Sequence, residues 1–373
     1  MKRTALSLAA LAAAAACTPA LAQDLDTASP EQLLEAARKE GQVTVYAFTS
    51  RIARVEKAFE EAYPGIDMIS NDMSSTEQIT RLKTEAAAGI ANADVIYISD
   101  TPVVLSELVG SGIVQRYVPP RIAGRLDEAF KQPLLAQRLS TKLLMYNEDA
   151  NPDGAPIDNL WQLTTEDWRG RVVMVDPLQR GDYLDLMTEF VLRGEAMAKA
   201  YEAQFGRQIE LADGFDNAGE QFIADLFAND LILVGSTDDV NAAVGRKGQE
   251  NPPVGFTSYS DRRDNEEEGR ALQIANAVEP SNGIVFPAVL AINTKTRHPA
   301  AARLAIDFMM GDDSPTGGEA FAPFYVAGDY ATRNDIGNHP DAVPLQELTS
   351  WRIDPARTAE IRQDVADLVL SLQ

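Results

Sequence analysis

The chain has 373 residues, with 33 Lys and Arg against 56 Asp and Glu, and its net charge of −23 makes a surface that repels nucleic acid and anionic lipid. Cys17 is the only cysteine and falls within an N-terminal leader, which excludes disulfides, thiol nucleophiles and thiolate metal sites from the remainder. That remainder, about 350 residues, exceeds what one core usually supports, so two lobes are expected.

The leader is read from Lys2 and Arg3, the Ala/Leu run after them, and Ala20-Leu21-Ala22 before Gln23. These fit a secretory signal over residues 1–22. Its apolar run is about a dozen residues, short of the ~20 that span a bilayer. Cleavage would remove Lys2 and Arg3, leaving 31 basic residues against 56 acidic ones and a net charge of −25. Lipidation at Cys17 would need a leucine three places upstream, where Ala14-Ala15-Ala16 offers none. A soluble monomer released into the periplasm is therefore expected.

A short helix over Pro30 to Lys39 leads into Val43–Phe48, which reads as a strand, after which Ile52, Val55, Phe59 and Tyr63 recur at helical spacing. Met68–Ser70 is a second strand, followed by Met73–Thr76 and a helix in which Ser75 and Gln78 have capping-box spacing. Asp94–Ile98 is a third, ending at Ser99-Asp100-Thr101 before Pro102, which suits a first helical turn. Three repeats of strand, polar loop and helix predict a parallel sheet flanked by helices, with ligands outside the carboxyl ends of the strands. Leu143–Asn147 is another strand, and Asn151–Pro156 is rich enough in turn residues to mark a boundary. Beyond it Val172–Val175 runs into Asp176–Gly181, and Leu231–Val234 into Gly235–Asp238, repeating the same logic in a second lobe. Ile284–Ile292 offers a return strand. The C-terminal third is mainly helical, as over Pro299–Met310 and Pro355–Leu370, and Arg262–Glu268 reads as a solvated loop.

In this order, "VTVYAFTSR", "AAGIANADVIYISD", "GIVQRYVP", "LLMYNED", "LWQLTTEDWRGRVVMVDP" and "IVFPAVLAINTKTRHPAAARLAIDFMMG" resemble segments of the type 2 periplasmic solute-binding proteins of ABC importers. The resemblance is to the branch that binds ferric iron, phosphonates, hexose phosphates and polyamines, and Trp161–Pro177 is its most specific part. It implies an α/β fold of two lobes, each a mostly parallel sheet flanked by helices, closing over one small solute and presenting it to a membrane permease. The implied division is residues 23–145 for the first lobe, rejoined by about 285–310, 146–284 for the second, and 311–373 for a C-terminal helical segment. The crossings are placed near Tyr146 and near Ile284–Phe286. No cofactor is expected.

The candidate ligand residues sit at strand-to-helix seams, where free N–H groups and the helix dipole attract anions. They are Thr49, Ser50 and Arg51; Ser74, Ser75 and Thr76; Asp100; Gln179 and Arg180; Ser236, Thr237 and Asp239; and Asn282 before the return strand. Tyr146 and Phe48 are aromatic candidates, although a core role is the commoner fate of such residues. Several of the hydroxyls could equally be plain helix caps. Arg51 and Arg180, from opposite lobes, could clamp one anionic group, which favours a small phosphorylated or carboxylated solute.

A catalytic reading finds little. His298 and His339, each before a proline, are the only histidines, and no G-x-S-x-G, H-E-x-x-H, Walker or G-x-G-x-x-G motif occurs. A secreted hydrolase is the distant alternative. The nearer one is ferric iron, whose binders in this group typically offer adjacent tyrosines, but the nearest pair here is Tyr325 and Tyr330.

Overall fold

The computed structural model describes residues 25–373, so the expected signal segment and Cys17 lie outside the described residues. Among the described residues no helix is long and apolar enough to cross a membrane.

The first helix, α1 (Pro30–Glu40), starts on Ser29, which exchanges capping bonds with Gln32, and stops at Gly41. The chain then alternates through β1 (Gln42–Ala47), α2 (Ile52–Ala62), β2 (Asp67–Asp72), α3 (Ser75–Ala87) and β3 (Val95–Ile98). Next come α4 (Thr101–Val103), which runs on as a π-helical turn over Val104–Val109, then β4 (Val114–Gln115), α5 (Glu128–Lys131) and the 13-residue β5 (Leu135–Asn147). The second lobe holds β6 (Val172–Val175), α6 (Gly181–Leu192), α7 (Gly194–Phe205), α8 (Ala218–Ala228), β7 (Ile232–Val234), α9 (Thr237–Gly245), β8 (Val254–Thr257) and β9 (Leu272–Ile274). The long β10 (Gly283–Asn293) returns, and α10 (Pro299–Met309), α11 (Gly318–Phe321), two short strands β11 (Tyr330–Ala331) and β12 (Trp351–Arg352), and α12 (Pro355–Leu372) complete the chain.

One hydrogen-bonded path orders the main strands β2-β1-β3-β10-β5-β8-β6-β7. Parallel pairs lie at its two ends, β2-β1-β3 in one lobe and β8-β6-β7 in the other. The antiparallel pair β5 and β10 joins them, since β10 pairs with β3 at Val289–Ile292 while β5 pairs with β8 at Leu143–Met145. The stretch in between, Leu139–Lys142 against Ile284–Pro287, is where the chain crosses from lobe to lobe. Tyr146 lies beyond that crossing, paired with Gln273. The first-lobe core gathers Val43, Val45, Phe59, Leu290 and Ile306, and the second-lobe core Trp161, Phe190, Phe222 and Phe256. From α12, Val365 and Val369 enter the second-lobe core.

One capping expectation changes. Ser74, not Ser75, caps α3, accepting from the Glu77 N–H at 3.2 Å; Ser75 turns inward and its hydroxyl meets that of Ser99 at 2.9 Å. His298 precedes α10 without capping it, and its Nδ1 lies 3.0 Å from Asp94 Oδ2.

Gly283 begins β10 at a φ of 140°, and a β-carbon there would sit 2.1 Å from the carbonyl oxygen of Lys142 on the neighbouring crossing strand. Backbone on both sides leaves nothing free to move aside. Gly283→Ala is therefore expected to destabilise the protein by about 2–5 kcal/mol, through forced strand separation and a strained φ. Urea titration followed by circular dichroism measures this, and a midpoint equal to the parent's would refute it.

Candidate functional site

At the crossing lies a polar cavity of about 270 Å³, a volume equal to roughly nine waters in the liquid. The first lobe contributes Phe48, Thr49, Ser50 and Arg51 from the loop after β1, and Asp72 from the end of β2. Residues i, i+2 and i+4 of a strand share a face, so β5 presents Arg138, Ser140 and Lys142 together. Arg180 and Asp182 come from the start of α6, Ser236, Thr237 and Asp238 from the start of α9, and Ser258, Ser260, Asp261 and Arg263 from the turn after β8. Phe286 of β10 closes the apolar side. Larger hollows of about 680 and 700 Å³, beside α3 and between α2 and α10, gather no comparable set of buried charges.

The deepest cation is Arg138, fully buried, with its guanidinium 4.5 Å from the Phe324 ring centre and 5.3 Å from that of Phe48. Asp329 lies behind it, with Oδ1 3.2 Å from Arg138 Nε and Oδ2 accepting a 2.7 Å bond from Arg51 Nη1. One carboxylate thus positions two arginines. Burial pushes the Arg138 guanidinium down to about 10, against the pull of Asp329, so it remains charged near neutrality. Its Nη2 has no partner within the protein. A buried donor left so costs about 1–3 kcal/mol unless an acceptor reaches it.

On the second-lobe side Lys142 Nζ lies 3.1 Å from Asp182 Oδ2 and donates to Ser258 Oγ at 2.7 Å. Arg180 contacts the same carboxylate at 3.5 Å and Thr237 Oγ1 at 3.4 Å. Burial raises the Asp182 pKa, but Lys142 and then Arg180 outweigh it and hold the carboxyl below its ordinary range. Arg263 is braced by Asp261 at 2.9 Å, and Asn241 donates to the other oxygen of Asp261. Each inward-facing cation therefore has a fixed carboxylate, which limits the cost of burying it and sets its direction.

The structure brings six of the sequence candidates into this cavity, namely Thr49, Ser50, Arg51, Arg180, Ser236 and Thr237, together with Phe48. Ser50 lines the cavity instead of capping α2, which has no side-chain cap. The remaining candidates stand elsewhere. Ser74 is occupied as a cap, Ser75 with Ser99, and Thr76 faces a separate hollow that Asp100 also borders. Asp100 makes no cap bond and pairs with Arg362 at 3.0 Å. Tyr146 is buried in the second-lobe core, and Gln179 is exposed, bonded to Asp176. Asp239 accepts from the Ser236 hydroxyl at the start of α9, and Asn282 is buried and donates to Asn276. Arg263 corrects the reading of Arg262–Glu268 as wholly solvated, because the segment opens as a tight turn that aims this side chain inward. Sequence reasoning missed Arg138, Ser140, Lys142 and Asp182. The sequence carries no clean signal for them: Gln137-Arg138-Leu139-Ser140-Thr141-Lys142 is polar at every position but Leu139 and does not alternate, and Asp182 lies in a separate segment.

Among the described residues no cluster of three or more His, Cys, Asp or Glu suits a metal ion, and the cavity lining includes neither tyrosine nor histidine. Tyr325 donates to the Asn338 carbonyl and Tyr330 to that of Val343.

No family model and no curated protein sequence matches the chain. Solved structures do. Iron-bound HitA from Pseudomonas aeruginosa superimposes with a TM-score of 0.68 at 17% identity, covering 89% of this chain and 99% of that one. The periplasmic binding protein AfuA from Actinobacillus pleuropneumoniae, with fructose-6-phosphate bound, gives 0.67 at 15%, covering 89% and 97%. AgtB from A. tumefaciens R10, in complex with agropinic acid, gives 0.63 at 11%, covering 89% and 98%. The fold is that of the two-lobed periplasmic binding proteins.

Proposed function

We propose that the protein is the periplasmic solute-binding component of an ABC importer, capturing a small organic anion between its lobes and delivering it to a membrane permease. The observation that carries this reading is Arg138, wholly buried, charged, and holding an unpartnered N–H at a cavity that Arg51, Lys142, Arg180 and Arg263 also line. Four carboxylates line the same cavity, and they suit the hydroxyls of a phosphorylated or carboxylated metabolite, which can donate to them. Similarity to binding proteins crystallised with fructose-6-phosphate and with agropinic acid supports the class of ligand. Iron-bound HitA has the same fold, but a ferric ion is best held by phenolate oxygens, and this cavity has none.

Arg51 and Arg180 face the solute from opposite lobes. A hydrogen bond to a charged partner contributes about 1.5–3 kcal/mol, so Arg51→Ala and Arg180→Ala are each expected to weaken binding about tenfold to a hundredfold. Calorimetry against the best anion from a thermal-shift screen of sugar phosphates, phosphonates and dicarboxylates tests this. Parent-like affinity in both variants would remove the clamp.

A further inference from the structure

Beside the cavity the two lobes also meet through a second set of charges. Gly181, adjacent to the cavity residue Asp182, starts α6, and its backbone lies so close to Asp100 that a β-carbon would sit 2.1 Å from Asp100 Oδ2. Arg362 reaches this point from α12. Its Nε donates to Asp185 Oδ1 at 2.8 Å, and its Nη2 donates to Asp100 Oδ2 at 3.0 Å and to the Gly181 carbonyl at 3.2 Å. Asp100 follows β3 in the first lobe, whereas Asp185 and Gly181 belong to α6 in the second. Since α12 is anchored in the second-lobe core by Val365 and Val369, the bond from Arg362 to Asp100 spans the seam.

We infer that Arg362 is a latch between the lobes, holding them together as they stand in this structure by joining Asp100 to Asp185, with Gly181 leaving the space for Asp100 to dock. The inference stands on the fold and on no particular solute. Both carboxylates are buried, and each keeps one oxygen without a partner, Oδ1 of Asp100 and Oδ2 of Asp185. Burial pushes both above the ordinary carboxylate range, with Asp182 adding to the effect on Asp100 and Asp100 to that on Asp185, and a single arginine does not offset it. A buried ion pair roughly breaks even against its desolvation. Such a latch holds the seam without making it irreversible.

Small-angle scattering of the ligand-free protein tests the latch without any solute. Arg362→Gln is expected to enlarge the radius of gyration relative to the parent. Because that substitution leaves two carboxylates without a cation and weakens the lobe itself, Gly181→Ala is the second test: it changes no charge, and its β-carbon, 2.1 Å from Asp100 Oδ2 and 2.7 Å from Arg362 Nη2, would push both out of their bond. It should expand the protein likewise, with a parent-like far-ultraviolet spectrum. Gly181→Ala scattering superimposable on the parent's, with the fold intact, would overturn the latch.

Discussion

Arg138→Ala is expected to abolish measurable solute binding and to lower the stability of the fold by about 3–5 kcal/mol, the usual cost of removing one partner from a buried ion pair. Two separate losses combine. The cavity loses a charged donor at its inner end, and Asp329, fully buried, keeps only Arg51 to balance it. The binding loss should exceed that of Arg51→Ala or Arg180→Ala, because Arg138 sits deepest, is held against the Phe324, Phe48 and Tyr97 rings, and carries an N–H that no protein group accepts. Arg138→Lys separates the two effects. Lysine keeps the charge near Asp329 but loses the planar fork, so stability should recover substantially while affinity does not. Calorimetry and urea denaturation of both variants decide the matter; an Arg138→Ala protein that binds as the parent does would rule out Arg138 as an anchor.

Trp161→Ala should be the most damaging change away from the cavity, at about 3–5 kcal/mol, as expected for truncating a large buried aromatic. Trp161 is wholly buried, donates from Nε1 to the Met197 carbonyl at 2.8 Å, and packs edge-on against Tyr201 and Phe222 with ring centres 4.9 and 5.1 Å away. Its removal leaves a hole between α7, α8 and the turn that holds it, and deletes the indole bond to the Met197 carbonyl. Denaturant unfolding followed by circular dichroism measures the loss, and a shift below about 1 kcal/mol would contradict the packing assigned to this ring.

The alternating elements of both lobes are legible because their apolar periods are clean. Val172–Val175 is found as read, and the return strand differs by a residue at each end. Loops after strands are legible for the same reason, which is why Thr49–Arg51, Arg180 and Ser236–Thr237, which line the cavity, could be singled out from sequence. The inner wall of the cavity was not. In Leu135–Asn147 only the apolar last third reads as a strand, and charged residues such as Arg138 and Lys142 ordinarily argue for solvent. They are buried because partners far along the chain receive them, Asp329 for one and Asp182 for the other. Such pairing leaves no local signal. Asp100 and Arg362 fail for the same reason, being separated by most of the chain yet bonded across the seam.

The central claim is that an anionic solute is held by cations from both lobes. Its most direct test is calorimetric titration of the purified protein with fructose 6-phosphate, inorganic phosphate and citrate, alongside putrescine and ferric iron, at low and high salt. Binding is expected from at least one organic anion, weakening as salt rises, with none from putrescine or from ferric iron. Tight binding of ferric iron or putrescine, with every anion silent, would contradict it.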